Sequence, residues 1–157
     1  MSYVELQVSS NYSFLRGAST AEELVAAAAE LGLPAIGITD LNTVAGVVRM
    51  HDAAKQGGVR LLPGARLRFC DATPDILCYP RDRDGWGRLT RLLTRGKTRV
   101  KHGDAGEAAK RTNRCFLYYA DLLAHATTHV LIVVPPARID AGLRDFTHLS
   151  AAVRIRA

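Results

Sequence analysis

Ala35-Ile36-Gly37-Ile38-Thr39 is an almost wholly apolar run that stops at Asp40. A run this short, apolar on both faces and closed by a charged residue, fits a strand buried on both sides in a parallel sheet. Its carboxyl end then opens onto a loop, where functional groups of such sheets gather. Parallel neighbours require crossover connections, and the sequence offers one on either side.

Upstream, Tyr3 to Val8 alternates like a first strand, and the polar run Ser9-Ser10-Asn11-Tyr12-Ser13 follows as a loop. Ser19 and Glu22 have capping-box spacing. Leu24, Val25, Ala28 and Leu31 then share one helical face, and Gly32 with Pro34 ends the helix. Downstream, Val44 to Gln56 predicts a second helix closed by Gly57-Gly58. Val59–Leu62 and Ala65–Phe69 read as strand pieces separated by Pro63-Gly64, and Pro74–Tyr79 reads as another strand.

Gly85 to Arg95 predicts a helix with Trp86, Leu89, Leu92 and Leu93 on its apolar side and Arg88, Arg91 and Arg95 opposite; Gly96 stands where a C-cap belongs. Gly96 to Asn113 is basic and turn-rich. Cys115–Tyr118, a short helix over Asp121–Ala126 and a buried strand over His129–Val134 follow, stopped by Pro135-Pro136. This order predicts an α/β fold with right-handed βαβ units and a parallel sheet. A closed barrel needs more strands than are countable here, so the barrel is expected to be incomplete, with exposed apolar strand edges and marginal stability.

The 157 residues suit one domain with a real core. Apolar runs such as Leu24–Leu33 and Val130–Val134 fall far short of the ~20 residues that span a bilayer, and the N-terminus lacks a leader pattern, so no membrane is expected and a cytoplasmic location is. Cys70, Cys78 and Cys115 are too few and too scattered for a disulfide framework and read as reduced thiols. Net charge is +6, and Arg81–Arg114 holds 11 Lys/Arg against 4 Asp/Glu, which accounts for the whole excess.

The stretch from Tyr3 to Ala18 and the stretch Ala35-Ile36-Gly37-Ile38-Thr39-Asp40-Leu41-Asn42-Thr43-Val44-Ala45-Gly46-Val47 resemble the start of the PHP (polymerase and histidinol phosphatase) domain. Within that family the chain looks like the N-terminus of the error-prone branch of bacterial C-family DNA polymerases. Pro63-Gly64-Ala65-Arg66-Leu67, Leu77-Cys78-Tyr79-Pro80, Trp86-Gly87-Arg88-Leu89, Leu92-Leu93-Thr94-Arg95-Gly96-Lys97, Asp121-Leu122-Leu123-Ala124-His125 and Leu131-Ile132-Val133-Val134-Pro135-Pro136 extend the likeness in order. It implies a parallel-sheet PHP-type (β/α)7 barrel, of which residues 1–136 are one part. Residues 137–157 are expected to be a tail without family pattern, as a truncation or frameshift would give.

Metal-competent PHP domains end their first strand in His-x-His, two imidazoles facing the same way from alternate residues. Those positions here are Gln7 and Ser9, weak ligands without an imidazole lone pair. The Asp-His pair expected after the next strand is Asp40-Leu41, and the expected acidic residue near Pro63 is Arg66, a charge reversal. The resemblance therefore implies a degenerate site at Gln7, Ser9, Asp40, Leu41 and Arg66, with no metal ligand set and no catalytic residue. Asp40 reads more simply as a turn or helix cap before Asn42-Thr43. Ser9, Ser10 and Ser13 read as loop hydroxyls serving backbone groups. His125 and His129 have a spacing that could share a helical face, but without a nearby Cys, Asp or Glu partner they read as ordinary solvated or core-edge histidines.

The basic segment offers Arg88, Arg91, Arg95, Lys97, Arg99 and Lys101 for phosphate contacts to DNA. An equally weighted reading is a solvated basic face against another part of a polymerase. The expected role is a scaffold domain or fragment of an error-prone polymerase in damage-induced, translesion synthesis. The rest of the polymerase, DNA and other mutagenesis-complex proteins are the implied partners. No cofactor is expected on this chain, and Mg²⁺ would belong to catalytic regions it lacks. The alternatives are a free-standing metal-dependent PHP phosphoesterase and a small basic nucleic-acid-binding protein.

Overall fold

The computed structural model describes residues 3–101 and 115–134. The predicted tail at 137–157 and most of the basic loop lie outside these residues. The chain divides between Arg66 and Leu67 into two units.

In the first unit, strand β1 (Glu5–Val8), helix α1 (Ala21–Glu30), strand β2 (Ala35–Leu41), helix α2 (Val47–Gly57) and strand β3 (Arg60–Leu67) follow one another as predicted. β2 pairs in parallel with β1 on one side and with β3 on the other. The core follows from the apolar spacing: Ala21, Val25 and Ala28 of α1 pack with Ile36 and Ile38 of β2, Met50 and Ala54 of α2, and Val59.

Two local expectations shift. The capping box of α1 is Thr20 with Glu23, one residue later than Ser19 with Glu22. Both pairs satisfy the pattern, but the Ser19 carbonyl is taken by the Asn11 N–H at 2.9 Å, which fixes Ser19 in the preceding loop. The two strand pieces around Pro63-Gly64 are one continuous strand, because Leu62, Pro63 and Gly64 keep register with Gly37, Ile38 and Thr39 of β2. Gly58 caps α2 in the left-handed region with φ 68°, as its position predicted.

In the second unit, strand β4 (Ile76–Pro80), helix α3 (Arg83–Lys101), helix α4 (Tyr119–His125) and strand β5 (His129–Val133) follow. β5 runs antiparallel to β4, Cys78 facing Leu131, so the parallel pattern of the first unit does not extend to this pair. Leu89, Leu92 and Leu93 of α3 are buried, as are Leu77, Leu117, Leu122 and Leu131.

Helix α3 does not stop at Gly96. The helix continues through this glycine, whose missing side chain admits residues 115–117: a Cβ there would stand 2.5 Å from Cys115 Sγ and 2.7 Å from Leu117 Cδ2. The Phe116 N–H donates to the Gly96 carbonyl at 3.0 Å. Glycine is here for close approach, not for a cap.

Candidate functional site

The five positions singled out in the sequence lie at or next to the carboxyl ends of three successive strands: Gln7 and Ser9 by β1, Asp40 and Leu41 on β2, Arg66 on β3. Leu41 and Arg66 are register partners at the ends of β2 and β3, and Asp40 faces Ala65. The Asn42 N–H, on a residue with φ 51°, donates to the Arg66 carbonyl at 2.9 Å and closes this edge. Gln7 is exposed on β1, and Ser9, just beyond it, is half-buried.

Asp40 is 1% exposed, so its carboxylate must be satisfied from within the protein. The loop after β1 supplies the donors. Ser10 gives its N–H to Oδ1 at 2.7 Å and its hydroxyl to Oδ2 at 2.6 Å. The Ser13 hydroxyl donates to Oδ1 at 2.6 Å and accepts the Leu41 N–H at 2.9 Å. Ser10 and Ser13 are themselves fully buried. Asp40 is thus neither a turn residue nor a helix cap; it is the centre of a buried knot that ties the β1–α1 loop to β2. Ser10 and Ser13 escaped the sequence reading as partners of Asp40. The available signal was that an aspartate closing a doubly buried strand needs several donors, and only the serine loop could provide them.

In the second unit, the basic helix face is largely engaged. Arg99 grips Asp121 with both terminal nitrogens, Nη2 to Oδ1 at 2.6 Å, and its Nη1 also donates to the Phe116 carbonyl at 3.0 Å. The Arg99 guanidinium lies 5.1 Å from the Tyr118 ring centroid. Arg95 pairs with the same Asp121 at 2.9 Å. The Arg99 hydrogen bond holds the Asp121 carboxyl below its ordinary range, and the Tyr118 N–H adds to this. Arg88 pairs with Asp84 at 2.6 Å, and Arg91 donates to the Gly87 carbonyl at 2.9 Å. Lys97 is half-buried. The side chain of Lys101 lies outside the described residues.

His125 and His129 do not share a helical face. The ring of His125, at the end of α4, contacts the Asp121 carbonyl at 2.8 Å, and His129 opens β5 with its Nε2 on the Gly85 carbonyl at 2.9 Å. Burial pushes the His129 pKa down. Burial also raises the Cys78 thiol to about 12 and the Cys115 thiol to about 11, so neither is poised as a thiolate.

The chain matches the family model of the PHP domain over residues 5–142. It belongs to the PHP domain family. It is 49% identical over 155 residues to an error-prone DNA polymerase of Caulobacter vibrioides, an alignment covering 98% of this chain and 13% of the relative. The error-prone DNA polymerase of Mesorhizobium japonicum is 44% identical over 154 residues, again with 98% of this chain and 13% of the relative covered. The matched part of such polymerases is their N-terminal region, and the chain spans only about an eighth of their length. An amidohydrolase from Chromobacterium violaceum, solved with bound sulfate and no metal, superposes with a TM-score of 0.60 at 17% identity, covering 94% of this chain and 72% of that one. That likeness shows the fold: this PHP domain has the architecture of an incomplete (β/α) barrel.

The PHP fold implies a metal cluster at these strand ends, but the donor set here does not fit one. An exposed amide, a hydroxyl, an apolar side chain and a guanidinium occupy the Gln7, Ser9, Leu41 and Arg66 positions. The remaining carboxylate, Asp40, has both oxygens engaged by Ser10 and Ser13. Among the described residues, no group of three or more His, Cys, Asp or Glu side chains gathers as a metal site.

Proposed function

We propose that this PHP domain serves as a metal-free scaffold of an error-prone DNA polymerase, acting in damage-induced mutagenesis and translesion synthesis in the cytoplasm. One observation carries the metal-free part: the Ser10–Asp40–Ser13 knot fills, with hydrogen bonds inside the protein, the place where a cluster would tie the same strand ends together. The nucleotidyl transfer itself, with its Mg²⁺, belongs to the regions that make up the remainder of the relatives. The 49% identity to an error-prone polymerase across nearly the whole chain supports the polymerase context.

The partners in this reading are the rest of the polymerase, the DNA it copies and other proteins of a mutagenesis complex. Arg88, Arg91, Lys97 and Lys101 are the better candidates for phosphate contacts, because Arg95 and Arg99 are committed to a deeply buried Asp121. The free-standing phosphoesterase reading finds less support, because no group of three or more His, Cys, Asp or Glu side chains gathers as a metal site among the described residues.

Metal analysis after dialysis against Zn²⁺ or Mn²⁺, with phosphodiester hydrolysis measured on the same sample, tests the reading. Substoichiometric metal and background hydrolysis are expected. Stoichiometric metal with turnover abolished by Asp40→Asn would overturn the scaffold assignment in favour of the phosphoesterase.

A further inference from the structure

The β1–α1 loop carries its hydrophobic side chains outward. Phe14 is 84% exposed and Leu15 90%, the highest values among the described large hydrophobic residues, with Tyr12 beside them at 41%. Leu15 also has φ 62°, a left-handed conformation that a branched side chain adopts at a cost. Exposure and strain fall on the same residue, and neither helps the isolated domain.

The loop is nonetheless firmly built. Ser13, directly before Phe14, is tied to Asp40 and Leu41. The N–H groups of Arg16 and Gly17 donate to the Ser13 carbonyl at 2.9 and 3.0 Å, and that of Ser13 donates to the Ser10 carbonyl at 2.9 Å. Gly17 lies so close to Ser10 that a Cβ would stand 2.2 Å from the Ser10 carbonyl oxygen. The tip is therefore held in place before any partner arrives, which lowers the entropy lost on docking.

We infer that Tyr12, Phe14 and Leu15 form a preorganised apolar knob that docks into an apolar pocket on the polymerase polypeptide accompanying this domain. The inference rests on the scaffold reading above. An adjacent aromatic and aliphatic pair on a rigid support has the make-up of an interface anchor. The choice of occupant follows from length: the chain spans only 13% of the Caulobacter relative. A polypeptide joined to this domain meets the knob at a high effective concentration. Nucleic acid is disfavoured as occupant, since residues 1–66 carry five Lys/Arg against six Asp/Glu and the sequence from Ser9 to Thr20 holds a single cation, Arg16.

The test places this chain at the start of the Caulobacter polymerase, in place of the aligned residues, and compares hydroxyl-radical oxidation of Tyr12, Phe14 and Leu15 in the chimera and in the 157-residue chain. Leu31, 75% exposed at the end of α1, serves as the reference. Strong oxidation in the chain alone and protection in the chimera, with Leu31 unchanged, is the expected result. A chimera that extends primers while its tip oxidises as in the isolated chain overturns the knob and leaves the scaffold reading standing. A chimera that neither extends primers nor protects the tip overturns both.

A second measurement uses Phe14→Ser with Leu15→Gly. The isolated double variant is expected to melt at or above the parent, because glycine suits the left-handed backbone. The same pair in the chimera is expected to loosen the domain and speed its proteolysis. Equal proteolysis of the parent and variant chimeras would overturn the knob.

Discussion

Ser10 and Asp40, thirty residues apart in the chain, are joined twice, backbone N–H to Oδ1 at 2.7 Å and hydroxyl to Oδ2 at 2.6 Å. With Ser13, whose hydroxyl donates to Asp40 and accepts the Leu41 N–H, they fasten the first loop to the second strand through buried hydrogen bonds.

Removing either member of this pair leaves buried polar groups unpaired. Ser10→Ala strips a donor from Asp40 and an acceptor from the Tyr12 N–H, which lies 3.2 Å from the Ser10 hydroxyl. A loss of about 2 kcal/mol is expected, read as a lowered urea midpoint. Asp40→Ala should cost more, and its cycle with Ser10→Ala should be strongly non-additive. Additive losses would mean the two groups do not act together.

Asp121 should behave as a structural residue. Asp121→Asn is expected to cost about 2 kcal/mol, less than the ~3–5 typical of a fully buried pair, because solvent screens Arg95; that side chain is 58% exposed. Arg99→Ala should be comparably destabilising, whereas exposed Arg91→Ala should stay within about 0.5 kcal/mol of the parent. In DNA-binding titrations Arg91→Ala should reduce the salt slope without moving the melt. The reverse pattern would return Arg95 and Arg99 to the phosphate-contact set.

Acid sensitivity should arrive in two windows. His129 has its pKa lowered from 6.5 by burial, so the folded state resists its protonation. The associated stability is complete above the unfolded value and falls as pH drops through the lower folded one. Asp121 has its pKa lowered from 3.8, first by the Arg99 hydrogen bond, so its contribution is complete above the ordinary aspartate range and is lost as pH falls through the depressed value. Urea midpoints measured from pH 8 to pH 3 should decline in both windows, with His129→Gln flattening the upper one and Asp121→Asn the lower.

Gly96→Ala tests the tertiary reason for a glycine inside a helix. Propensity alone favours alanine there by about 1 kcal/mol. The contacts with Cys115 and Leu117 oppose it, and overpacking of this kind typically costs about 1–3 kcal/mol. A net loss in thermal stability is expected; a gain would show that the segment holding Cys115 yields freely.

The sequence by itself determined the alternation of strands and helices from Glu5 to Leu67 and the residue types that stand at the strand ends. These are local properties: an apolar run such as Ala35–Thr39, a glycine such as Gly58, or the identity of Gln7, Ser9, Leu41 and Arg66 is legible without knowing what lies opposite. Tertiary structure decided which capping box is used, because the Ser19 carbonyl is claimed by Asn11. It carried α3 through Gly96, because the residues from Cys115 to Leu117 pack against that point. It turned Asp40 from an expected cap into a buried centre, and it paired Arg95 and Arg99 with Asp121. Each of these outcomes depends on a partner at least eight residues away, and periodicity carries no information about which distant donor will meet which buried acceptor.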